Sequence, residues 1–104
     1  MDEADLAGLM GVFQDLPDPR SERNQAHRLM SILLIALCGA ISGADNWVDI
    51  AAYGKAKQGW LETWLDLPNG IPSHDTFGRV FRFINPQAFQ ERFLGWVRQL
   101  GQEV

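Results

Sequence analysis

Apolar residues recur along this chain at helical spacing, and no segment sustains the two-residue alternation of a half-buried strand. Leu6, Leu9, Met10 and Phe13 form the first stripe, which predicts an amphipathic helix over 3–15. The run Leu16-Pro17-Asp18-Pro19-Arg20 ends it, because proline lacks the N–H that a helix interior needs. Ser21 to Gln25 is a polar link. Residues 27–43 are the hydrophobic centre. Leu29, Ile32, Leu33, Ala36, Leu37, Ala40 and Ile41 share one face, and Met30, Leu34 and Ile35 widen it almost all the way round. Such a helix is the buried middle of a bundle or a membrane span. Its apolar run of about 16 residues, interrupted by Ser31 and Ser42, is short of the roughly 20 that a bilayer needs. It therefore reads as a core helix, in which Ala36, Gly39, Ala40 and Gly43 let a neighbour approach closely.

Asp45 or Asn46 can cap the next helix, over about 46–57, in which Trp47, Ile50, Ala51 and Gly54 share a face. Gly59 allows a break. Trp60, Leu61, Trp64 and Leu65 then predict a short helix over 59–66 with a bulky apolar face. Asn69-Gly70 is a turn signal, Pro72 blocks an earlier helix start, and Ser73 can cap a helix that begins there. Phe77, Val80, Phe81 and Ile84 form the stripe of that helix. Asp75, Gly78, Arg79 and Arg82 fall on its other face. Asn85-Pro86 opens the last helix, with Asn as cap and Pro at the first helical position, and Phe89, Phe93, Trp96, Val97 and Leu100 line it. The fold class is all-α: a compact bundle of five to six short helices, with a central hydrophobic helix and a helix-turn-helix-like segment around residues 67–84.

Length and charge narrow the picture. A chain of 104 residues is a single domain, 1–104, and with 46% hydrophobic residues and four Trp it has material for a modest core. One cysteine excludes an internal disulfide and fits a reducing, cytoplasmic setting. Cys38 sits among apolar residues and reads as a small hydrophobe. The acidic start does not resemble a secretory signal. A net charge of −4 is not that of a strongly basic nucleic-acid module. The distribution qualifies this, because Asp2, Glu3, Asp5, Asp15 and Asp18 all precede the first basic residue, Arg20. From there to Arg98, nine Lys and Arg face seven Asp and Glu.

No phosphate loop, zinc spacing or nucleophile elbow is present. His74 and Asp75 are adjacent, and neighbours on a helix point in different directions, so they do not read as an acid–base pair. Asp45, Asp49 and Asp75 each have a local explanation as a cap or a first-turn acid, so neither a metal nor another cofactor is expected. Trp47, Trp60, Trp64, Phe77, Phe81, Phe89, Phe93 and Trp96 lie on helical stripes and read as core rather than as stacking platforms for single strands. Arg79 and Arg82 have two readings, phosphate or base-edge contacts and a solvated face carrying an Asp75–Arg79 pair. Arg20, Arg23 and Arg28 are a backbone-phosphate patch or a solvated loop.

The run LPNGIPSHDTFGRVF, the upstream DPR, the IALCGAISGADNW segment and the Trp60-Leu61 and Trp64-Leu65 pairs together resemble one family. It is the N-terminal transposase-associated domain of H-repeat-associated proteins and related DDE insertion-sequence transposases. The resemblance runs from Phe13 to Trp96. It implies a non-catalytic helical domain that recognises element-end DNA or organises the transposase assembly. Arg79 and Arg82 would then contact DNA, with Arg20, Arg23 and Arg28 on the backbone. The acidic catalytic domain of the family is absent from this chain, so its chemistry does not carry over. The H-repeat members accompany Rhs toxin elements, which implies an alternative: a protein-binding module that neutralises a neighbouring toxin. Its acidic residues Asp2, Glu3, Asp5, Asp15 and Asp18 would dock on a basic partner.

Overall fold

The computed structural model describes residues 3–13, 20, 27–84 and 86–102. Among these are six helices and no strand: α1 Glu3–Phe13, α2 Leu29–Ile41, α3 Trp47–Ala56, α4 Gln58–Leu61, α5 His74–Phe83 and α6 Pro86–Gln102. Their contacts divide the chain into two compact units, one of residues 19–83 and one built from the two ends, 1–18 and 84–104.

In the unit of residues 19–83, α2 is the core. Ile32, Leu33, Leu34 and Ile35 are consecutive and fully buried, and Ala36 and Cys38 join them. Four successive residues on a helix point in four directions, so the middle of α2 is covered all round, while Ala40 and Ile41 at its C-terminal end are exposed despite lying on the apolar stripe. Burying a side chain of this size contributes about 1.5–3 kcal/mol. Ser31, expected as an interruption, is itself buried, and its hydroxyl donates to the Asp66 carbonyl at 3.5 Å. Burial pushes the Cys38 thiol up from its ordinary value, in keeping with a packing role.

The α2 C-terminus is closed by two bonds, Gly43 N–H to the Ala40 carbonyl at 3.1 Å and Ala44 N–H to the Gly39 carbonyl at 2.9 Å. This is a Schellman closure, and Gly43 takes the positive φ of +107° that it demands. Gly43 is thus a stop residue rather than the expected site of close helix approach. Gly39 does fill that role: a Cβ there would lie 3.3 Å from Ile50 Cγ1 and 3.4 Å from the Tyr53 ring, both on α3. Gly54 is tighter still. A Cβ on it would come 2.7 Å from Ile71 Cγ2 and 3.2 Å from Ile35 Cγ2.

Asn46 caps α3, its Oδ1 accepting from the Asp49 N–H at 2.8 Å while its amide donates to the Asp49 carboxylate at 3.1 Å. The break after α3 falls at Lys57, before Gly59. The expected helix over 59–66 is only the four residues of α4. Beyond Leu61 the chain tightens into i to i+3 bonds, Thr63 N–H to Trp60 and Trp64 N–H to Leu61, and the Thr63 hydroxyl also donates to the Trp60 carbonyl at 2.6 Å. Leu61 and Leu65 are buried, whereas Trp60 is 43% exposed and meets Trp64 edge-on. Trp60 therefore lies outside the core in which its spacing placed it.

In the other unit α1 packs on α6. Phe13 stacks on Phe89 at 5.0 Å, and Gly8 leaves space for the indole of Trp96, which is buried. Pro86 is the first residue of α6, as its fixed φ favours. Its expected cap, Asn85, lies outside the described residues. Val97, placed on the buried stripe by its spacing, is exposed.

Candidate nucleic-acid interface

The start of α5 is fixed by local chemistry. Gly70 adopts φ +74° and its N–H donates to the Leu67 carbonyl at 3.1 Å, which closes the turn. Pro72 is fully buried. The Ser73 hydroxyl accepts from the Thr76 N–H at 3.3 Å, so the expected cap is made. Phe77 and Val80 then bury one face of α5. The indole of Trp47, from the first position of α3, lies nearly parallel to two rings of α5. Its centroid is 5.1 Å from that of Phe81 and 6.5 Å from that of Phe77. The turn and helix expected over 67–84 thus form, and α5 packs on α3 across α4 and the 62–73 connection.

The outer face of α5 borders an open groove of about 390 Å³, lined by Trp47, His74, Asp75, Gly78, Arg79 and Arg82. Gly78 shapes it. A Cβ at that position would sit 3.3 Å from Trp47 Cδ1 and 3.5 Å from Nε1, so the indole edge rests against bare backbone. Arg79 and Arg82 are both exposed, three residues apart on one side of the helix. Arg79 Nε donates to the Asp75 carbonyl oxygen at 3.4 Å, which occupies one of five guanidinium donors. The pairing expected with the Asp75 carboxylate is replaced by this backbone contact. That carboxylate instead meets His74 Nε2 at 3.3 Å. The expectation that these neighbours diverge fails because no earlier helical turn confines side chains at the first two positions.

The other candidate arginines lie elsewhere. Arg28, just before α2, pairs with the Asp66 carboxylate at 3.1 Å. Both side chains are well exposed, so the pair contributes no more than about 1 kcal/mol and a phosphate can compete for the guanidinium. Arg20 is half-buried, and its charge acts on His27, whose pKa is lowered first by burial and then by that cation. Arg23 lies outside the described residues, as do Asp2, Asp15 and Asp18, while Glu3 and Asp5 fall within α1. The structure therefore brings Arg79 and Arg82 together on one groove, which neither Arg20 nor Arg28 lines.

Sequence reasoning missed Trp47 and Gly78 as members of this site. The available signal was the glycine itself, since a glycine inside a helix marks a close approach. Among the described residues no group of three or more His, Cys, Asp or Glu is gathered to hold a metal ion. No described helix is long and apolar enough to cross a membrane.

Comparison with known proteins places this chain in a family. The chain is 40% identical over 94 residues to the H repeat-associated putative transposase YhhI of Escherichia coli, which covers 90% of this chain and 25% of the relative. It is 53% identical over 85 residues to an uncharacterized protein in the dhlA 3' region of Xanthobacter autotrophicus, covering 81% of this chain and 29% of that one. The inactive transposase YbfQ of Escherichia coli is 41% identical over 76 residues, covering 73% of this chain and 90% of its own length. The chain thus spans between a quarter and a third of the first two relatives. No solved structure matches. The DDE_Tnp_1-associated family model matches residues 10–97, and the chain belongs to that transposase-associated family.

Proposed function

We propose that this chain is a non-catalytic DNA-recognition and assembly domain of an insertion-sequence transposase. The observation that carries the reading is the pair Arg79 and Arg82, exposed on a helix whose position is fixed by the Ser73 cap and the Phe77 and Phe81 rings. A fixed helix presents its cations on one face, so only their side-chain rotamers remain to be ordered on binding. Family membership supplies the context, since relatives carry the name transposase. Arg20, Arg23 and Arg28 act as further backbone contacts, and Arg28 exchanges Asp66 for a phosphate. The whole chain is acidic, so binding is weak and salt-sensitive.

The test is DNA binding by the double variant Arg79→Ala/Arg82→Ala, with an element-end duplex as probe and anisotropy as readout. Losing two phosphate contacts should flatten the slope of log K against log salt by about 1.8 and weaken binding by about tenfold or more at low salt. Circular dichroism should show the helices intact, because neither side chain is buried. An unchanged binding curve in the folded variant removes this assignment.

A further inference from the structure

The groove on α5 holds a feature that phosphate contacts do not need. Trp47 is 37% exposed, while Phe77 beneath the same stack is fully covered. Partial exposure alone marks nothing, since a tryptophan is large and rarely fully buried. The placement does: the indole is backed by Phe81, near parallel at 23°, and lines an open groove together with Arg79 and Arg82. The backing ring makes it a rigid platform. Gly78 keeps the space beside it clear, since any side chain there would press on the indole edge and intrude between Trp47 and the arginines.

We infer that this groove receives one unpaired nucleotide, its base stacked at Trp47 and its phosphate held by Arg79 and Arg82. The inference rests on the DNA-binding reading and narrows it to a strand that is single or locally opened. Three arguments support it. A base inside a B-form duplex shows only its edges to a protein, so a ring platform is usable only once the base leaves the stack. Aromatic platforms beside a basic track are how proteins hold single strands. The groove also has a polarity. Asp75, paired with His74, lies at its N-terminal end, and Arg82 lies seven residues further on, about 10 Å along the helix. A phosphate is therefore attracted at the Arg82 end and kept away from the carboxylate. At about 390 Å³ the groove falls at the small end of ligand sites, a size that suits one nucleotide.

The experiment compares three dye-labelled probes of equal length on the 104-residue chain: a single strand, an abasic strand with the same phosphates, and a blunt duplex. The base-bearing strand should bind about tenfold tighter than the abasic one, as expected for one stacked base. Trp47→Leu should bring the ratio of base-bearing to abasic affinity to about one. If base-bearing and abasic strands bind equally while Arg79→Ala/Arg82→Ala weakens both, the stacking inference is overturned and the DNA-binding reading stands. If no probe binds, both fall. The probe comparison in the unaltered chain decides the matter even if Trp47→Leu fails to fold.

Discussion

The joint between α3 and α2 is centred on two glycines that receive side chains, whereas the joint between α3 and α5 is centred on stacked rings. At the first, Gly39 admits Ile50 and Tyr53, and Gly54 admits Ile35 and Ile71 with no space for a Cβ. At the second, Trp47 lies along Phe77 and Phe81 and remains partly open to solvent. The Gly54 contact is filled to its limit and can do nothing but hold. A ring contact can hold through one residue while another keeps a surface free. This is the physical reason that the candidate site lies on the α5 side of α3.

The comparison can be broken from either side. Phe77→Ala removes a fully buried ring from the aromatic joint and should cost about 3–5 kcal/mol, read from urea unfolding. A cost under about 1 kcal/mol would show that Trp47 and Phe81 hold α5 without it. Gly54→Val attacks the other joint by overpacking. It should cost about 1–3 kcal/mol despite the better helix propensity, because Ile71 and Ile35 contact with branch methyls that cannot swing away as a long chain would. Unchanged stability would mean that the 67–73 connection yields.

A smaller effect acts just before α2. His27 has its pKa lowered in the fold, so the unfolded chain takes up the proton first. The stability it contributes is present above its ordinary pKa of about 6.5 and is lost as pH falls through the lower folded value. His27→Gln should therefore lessen the fall in the urea midpoint between pH 7 and pH 5. An equal fall in the variant would assign the acid sensitivity to other groups.

Much of this was legible in the sequence, for reasons that differ by residue. The caps at Asn46 and Ser73 and the turn at Gly70 follow from local backbone chemistry, which a few residues determine. The core role of α2 follows from a composition that leaves no polar face. Periodicity reports which residues share a face and says nothing of how completely the facing element covers them. Hence Ile41, Trp47, Trp60 and Val97 fall on apolar stripes and are nevertheless exposed. The same limit applies to glycines: Gly43 ends a helix and Gly54 receives an isoleucine, a distinction that depends on residues distant in sequence. Arg79 and Arg82 were legible as exposed cations, but the indole beside them was not.

The α1–α6 pairing joins the two ends of the chain, with all of residues 14–85 between them. Its consequence is kinetic. Closing so long a loop costs entropy before the Phe13–Phe89 stack returns anything, whereas α2, α3 and α5 find one another over shorter spans. The end-to-end pairing should therefore form after the folding barrier is crossed. Phe89→Leu should speed unfolding in stopped-flow traces and leave the folding rate nearly unchanged. A folding rate that falls in step with stability would instead place the chain ends in the nucleus.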